Sequence, residues 1–253
     1  MDLKQQAFYD DPSFDYRRYW LGREYEQKVE EDILEEALPK KRKRILDIGA
    51  GYGRFVKIFL DHFDKIDLLD PSGRLLEIAG NNWGRERISY KVGVVQKLPF
   101  GGDSFDAAVC IRVLHHLTEA EVRSAFIEVQ RVLKVGGIFI LEYANKYHLR
   151  ARVRAFFRHN KGFFDEATVD RRTFKNIIGD SIAFNNYHPN KIKKLIKKSG
   201  LKLIDEISCS YFRPKVFKMF LPCKLLAYFD HITQIYFSKW NLGPSNFIIA
   251  KKT

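Results

Sequence analysis

The sequence predicts an α/β protein whose sheet is parallel and wrapped by helices on both faces. Three observations carry that prediction. Strand and helix signals alternate between residues 44 and 143. The first strand, Ile45-Leu46-Asp47-Ile48, runs into a glycine-spaced turn, Gly49-Ala50-Gly51-Tyr52-Gly53. A second apolar strand, Leu68-Leu69-Asp70, follows 17 residues after Gly53 and ends in a carboxylate.

The elements follow in order. Tyr25, Val29, Ile33 and Ala37 recur every four residues, which predicts an amphipathic helix over 23–38. Strands are expected near 44–48, 65–69, 87–92, 105–111 and 137–143, with helices near 53–62, 73–80 and 119–133. Gly136-Gly137 is expected to end the last of these helices and turn the chain into the fifth strand. After Tyr143 the rhythm breaks, and residues 144–188 separate the fifth strand from a helix beginning near Pro189. A connection of that length inside an α/β domain is usually functional or disordered. Residues 201–207 and 247–250 read as the last two strands, and 214–240 between them is apolar and dotted with lysines.

Glycines let the backbone turn sharply and approach a ligand that a Cβ would hold off. A carboxylate about 20 residues on, at the end of the next parallel strand, can accept both hydroxyls of a ribose. Together they indicate a nucleoside-cofactor site at the carboxyl ends of the strands. The spacing is not that of a dinucleotide site, because Arg54 and Phe55 fill the positions where the third glycine would fall. Asp47, two residues before the first glycine, would repel a pyrophosphate and favour a cationic ligand.

With its motifs in order, the chain resembles the class I S-adenosylmethionine-dependent methyltransferases, in the branch that includes ubiquinone/menaquinone-biosynthesis methyltransferases. The resemblance covers roughly 20–143. It rests on the Asp47–Gly53 turn, Asp70-Pro71-Ser72, Gly93 with Leu98-Pro99-Phe100, and Ser104-Phe105-Asp106. Val113-Leu114-His115-His116-Leu117 and the run from Glu128 to Gly137 complete it. It implies a Rossmann-like, seven-stranded, mostly parallel sheet with an antiparallel last strand, and S-adenosyl-L-methionine as cofactor, with no metal.

Roles follow from the same resemblance. Gly49 and Gly51 form the cofactor turn, Asp70 meets the ribose, and Asp47 faces the methionyl end. Arg23, at the start of the first helix, is expected at the cofactor's carboxylate, and the Ile111 backbone at its amino group. Relatives usually carry Asp after the Gly93 equivalent, whereas this chain has Val94. Adenine recognition then falls to backbone and apolar contact at Val94 and Val95, or to Gln96. His115 is the candidate general base, with His116 beside it. Tyr143, Asn145, His148 and His188 are further residues of the mouth.

The chain of 253 residues fits one methyltransferase domain. Residues 1–38, with an aromatic run over 8–20 that includes Phe8 and Phe14, and the insertions 144–188 and 213–243 are expected to act as lids that select the acceptor. No apolar run is long enough for a membrane span, and the start of the chain lacks the layout of a signal peptide. Cys110, Cys209 and Cys223 are odd in number and far apart, as expected of reduced, cytoplasmic thiols.

The net charge of +13 indicates acidic partners or an anionic surface. It concentrates at 40–44, at 146–161, where no acid occurs, and at 191–198. The acceptor expected first is a small molecule, aromatic, lipid-like or anionic. RNA methylation, with the basic runs tracking phosphates, is the alternative. A non-catalytic cofactor-binding protein or membrane-surface partner is the alternative of another class.

Overall fold

A computed structural model describes residues 9–11, 16–173 and 182–253. Phe8 and Phe14 of the aromatic run, and 174–181 of the first insertion, lie outside the described residues.

Seven strands form one sheet: β1 (Arg42–Ile48), β2 (Phe63–Asp70), β3 (Ile88–Val92), β4 (Phe105–Cys110), β5 (Leu133–Ala144), β6 (Leu201–Cys209) and β7 (Ser245–Lys252). Their order is β3-β2-β1-β4-β5-β7-β6. The first five run parallel, and β7 is antiparallel to both neighbours, β5 and β6. The strands β1, β2 and β4 are buried over most of their length, as a sheet covered on both faces requires.

Helices α1 (Glu24–Ala37), α2 (Val56–His62), α3 (Gly73–Trp83) and α4 (Glu119–Val132) connect or flank these strands. Their ends are fixed locally. Ser72 accepts the Leu75 N–H at the start of α3, and Thr118 and Glu121 form a reciprocal capping box on α4. Helix α2 starts later than the sequence predicts, because 51–55 are held in turns next to β1. The reading of Gly136-Gly137 needs correction. Helix α4 has already ended at Val132, and Leu133 already pairs with Phe105. The next paired residue is Ile138, against Ala107, so 134–137 form a bulge within β5 with Gly136 at φ +82.

The 144–188 insertion holds helix α5 (Leu149–Phe157), a 3-10 turn at Lys161–Phe164, and a two-residue ladder of Val169–Asp170 with Asn185–Asn186. Helix α6 (Pro189–Lys198) follows. Between β6 and β7 lie α7 (Lys215–Phe220) and α8 (Cys223–Phe237). No described helix is long and apolar enough to cross a membrane.

Helix α8 is anchored by one buried carboxylate. Asp230 accepts from the Tyr25 hydroxyl of α1, from the Ser210 and Tyr211 amides at 3.2 and 2.8 Å, and from Gln234 Nε2 at 2.8 Å. The Tyr25 oxygen in turn accepts the Phe212 N–H at 3.0 Å. The apolar face of α8 therefore packs on α1 and on the end of β6. Tyr25→Phe is expected to lower stability by about 1–3 kcal/mol, since it strips a buried carboxylate and a buried amide of one partner; urea denaturation measures it.

Candidate active site

The carboxyl ends of β1, β2 and β4 converge on one cavity. Its wall contains Tyr9, Gly49, Gly51, Asp70, Val94, Val95, Ile111, Arg112 and His116. Gly49 donates to the Leu69 carbonyl at 2.7 Å with φ +72, and a Cβ there would overlap the Val113 side chain. Gly51, at φ +55, donates its N–H to Asp70 Oδ2 at 2.8 Å. The glycine turn and the second strand are thus coupled through that carboxylate, whose Oδ1 takes the Ser72 amide at 2.8 Å. Two of its roughly four lone-pair positions remain free. Burial pushes the Asp70 pKa up to about 6, against the pull of the two amides.

Asp47 immediately precedes the wall residues Ile48 and Gly49 in β1 and does not itself border the cavity. It is buried, and its Oδ2 has no hydrogen-bond partner. Burial pushes its pKa up to about 7; Arg54 opposes the rise and Asp70 adds to it. A buried carboxylate oxygen left unmatched beside a cavity suits a cationic ligand.

The basic residue at the cavity is Arg112, which follows Ile111 with φ +63. Its Nε donates to Glu30 Oε1 at 2.8 Å, while Arg54 Nη2 reaches Glu30 Oε2 at 2.6 Å. Arg23 does not border the cavity. It stacks over the Tyr19 ring, with Cζ at 4.1 Å from the centroid.

The two histidines separate. His116 borders the cavity and His115 does not. His115 is buried between the rings of His116 and Phe184, at centroid distances of 4.0 and 4.5 Å. Burial holds its pKa well below the ordinary value, with His116 and Arg112 adding. His116 Nδ1 lies 2.9 Å from the Ala183 carbonyl, which can only accept, so the proton sits on Nδ1. Nε2 is then the acceptor, 2.9 Å from the Tyr9 hydroxyl. Burial lowers the His116 pKa and raises that of Tyr9, leaving a neutral imidazole and a neutral phenol at pH 7.

The remaining predicted residues lie elsewhere. Gln96 Nε2 bonds Glu121 at 2.9 Å, outside the cavity wall. Asn145 is buried and joins β5 to the Asn241 and Gly243 carbonyls, both at 2.8 Å. Tyr143 is buried in the sheet, and His188 caps α6. His148 lines a second cavity. Arg112 directly follows the strand expected over 105–111, but nothing in the sequence signals the left-handed backbone there. The aromatic run contributes Tyr9 and Tyr16 to the first cavity, whereas no residue of 213–243 borders it.

This sheet order, with a glycine turn after β1 and an acid ending β2, defines the class I, Rossmann-like methyltransferase architecture. Residues 46–141 match the family profile described as a methyltransferase domain. The chain is 34% identical to the uncharacterized methyltransferase YcgJ of Bacillus subtilis over 112 residues, spanning 43% of this chain and 44% of that protein. It is 28% identical over 208 residues to an uncharacterized protein, MJ1252, of Methanocaldococcus jannaschii, spanning 81% and 78%. The fold matches a crystal structure of an S-adenosylmethionine-dependent methyltransferase from Thermotoga maritima at a TM-score of 0.64, with 20% identity and coverage of 98% and 99%. The chain thus carries a methyltransferase domain over residues 46–141, set in a Rossmann-like methyltransferase fold.

The raised Asp47 pKa sets a pH dependence. The folded chain keeps this proton to about pH 7, whereas an unfolded Asp loses it near 4. Between those values the unfolded chain binds fewer protons, so the Asp47 contribution to stability falls as pH rises. Asp47→Asn removes that loss. It is expected to be more stable than wild type by about 2–4 kcal/mol above about pH 7, with the gain vanishing near pH 4; guanidinium denaturation across this range measures both ends.

Proposed function

We propose that the protein transfers a methyl group from S-adenosylmethionine to a small-molecule acceptor by direct in-line displacement. The observation that carries this reading is the pair of buried carboxylates at one glycine turn. Asp70 keeps acceptor capacity on the cavity wall for a ribose diol, and Asp47 holds an unmatched oxygen close behind it. Their charges suit a nucleoside joined to a cationic sulfur and repel a diphosphate. When bound, the cofactor supplies a methyl group on a good leaving group.

The chain's own residues have three tasks in this reading. Asp47, Asp70 and the turn at Gly49 and Gly51 orient the nucleoside and methionyl ends. Arg112 provides the positive charge for the methionyl carboxylate, a role expected of Arg23 from sequence. Val94, Val95 and Ile111 offer backbone groups and apolar surface to the adenine, and Tyr9 and Tyr16 exclude water. The in-line step needs an acceptor lone pair aligned with the breaking carbon–sulfur bond, so alignment is the main catalytic contribution. His116 Nε2, rather than His115, is the group positioned to take the acceptor's proton once Tyr9 moves aside.

The motif series also supports placement near the ubiquinone/menaquinone-type branch, where small molecules are methylated. Asp70→Ala is expected to weaken cofactor binding by about 1–3 kcal/mol through lost charged hydrogen bonds; calorimetric affinity equal to wild type removes the ribose assignment.

Methyl-labelled cofactor, offered with a metabolite extract and with total RNA, tests the acceptor class. Label is expected in the small-molecule fraction, and label confined to RNA overturns the reading. With that acceptor, His116→Ala is expected to slow turnover by about 10²–10⁴, and His115→Ala to slow it far less.

A further inference from the structure

The same edge of the sheet carries a second, strongly cationic cavity. Ala144 at the end of β5, Cys209 at the end of β6 and Ser245 at the start of β7 lie in register. The segments joined to them gather beside the cofactor cavity and enclose about 540 Å³, a volume typical of small-molecule sites. The wall holds Lys146, His148, Arg150, Arg154, Arg171 and Arg213, and no carboxylate.

Most of this charge has no counterpart among the described residues. Lys146 is matched by Asp165, at 2.8 Å. Arg150, Arg154 and Arg171 form no ion pair with any described residue. Arg213 Nε and Nη2 are buried with no hydrogen-bond partner. The carboxylate nearest to it, Glu26, lies 3.9 Å from Nε and is already bonded to Lys218 at 2.5 Å. Asn186, on the same wall and 8% exposed, leaves its Oδ1 unpartnered as well. The convergence is close enough to hold the His148 pKa down to about 4, by burial first and then by Arg171, Arg213, Arg150 and Arg154.

A buried guanidinium edge without an acceptor is costly unless a ligand completes it. We propose that this cavity binds a phosphate group of the methyl acceptor, so that the acceptor is a phosphorylated small molecule. A phosphate monoester carries about two negative charges and three strong acceptor oxygens, which guanidinium forks engage in pairs. A lone carboxylate offers half that charge and would leave most of the cluster unmatched. Asn186 Oδ1 is an acceptor, suited to a hydroxyl or N–H elsewhere on the same molecule. The proposal rests on the methyltransferase reading above for the rest of the acceptor's chemistry.

Calorimetry on the full chain with inorganic pyrophosphate, at fixed ionic strength and against acetate as control, tests it. The variants are Arg213→Gln and Arg154→Gln; the second removes an exposed side chain whose loss the fold tolerates. Pyrophosphate is expected to bind wild type and to weaken about tenfold or more in each variant, as loss of a charged hydrogen bond implies, while cofactor affinity stays unchanged. Pyrophosphate heats equal to those of acetate, or equal in wild type and both variants, overturn the phosphate site. Single-stranded RNA that binds more tightly than pyrophosphate, with a steep salt dependence lost in the same variants, overturns the small-molecule assignment. Failure of the cofactor itself to bind sinks the methyltransferase reading separately, since that titration does not involve this cavity.

Discussion

One buried carboxylate, Glu30, assembles the end of this molecule that holds the first cavity. It projects from α1 and is fully buried between Arg54, just after the glycine turn, and Arg112, just after β4. Burial pushes its pKa up, but the two guanidiniums hold it below the usual carboxylate range. Arg54 also stacks on Trp20, with Cζ at 3.6 Å from the ring centroid. A paired charge in this position is a strict constraint, because loss of either partner leaves an uncompensated ion in the interior. The helix, the turn and the strand end are therefore held in one arrangement, and the cavity lies between them.

Charge is divided along the edge of the sheet. Asp47 and Asp70 make the glycine turn acidic, and Arg112 adds a cation to the cavity that Asp70 borders. Over β5, β7 and β6 the wall is cationic, with no acid among its lining residues. Glu142 stands between these regions: it accepts the Arg112 amide at 3.1 Å and takes the Ser245 hydroxyl. A cofactor with a positive centre and an acceptor with a negative group would each meet the opposite sign. Such a layout orients both ligands and discourages exchange of their places.

The C-terminal insertion shows what an apolar pattern leaves open. Residues 214–240 are apolar in composition, yet α8 buries only Leu226, Ala227 and Asp230, the last bonded to Tyr25 of α1, while Tyr228, Ile235, Tyr236 and Trp240 stay exposed. Composition reports that a face must be covered and does not say by what. The signal that could have helped was polar: Asp230 is an acid in an apolar helix, and an acid so placed needs buried partners.

Much of the fold was legible because it depends on short-range rules. Strand–helix alternation located the five parallel strands, and the glycine spacing with Asp70 located a turn that borders the first cavity, since both follow from backbone conformation within a few residues. The sequence by itself therefore determined the α/β class and the edge of the sheet where Gly49, Gly51 and Asp70 border a cavity. Tertiary structure alone decided which side chains share that space. His115 and His116 are adjacent in sequence, yet one packs against Phe184 and the other borders the cavity. Arg112 borders the first cavity and Arg23 does not, and Arg150, Arg171 and Arg213 meet across three separate segments. Those outcomes depend on how the chain closes on itself over long separations, where packing and the pairing of buried charges prevail over any local pattern.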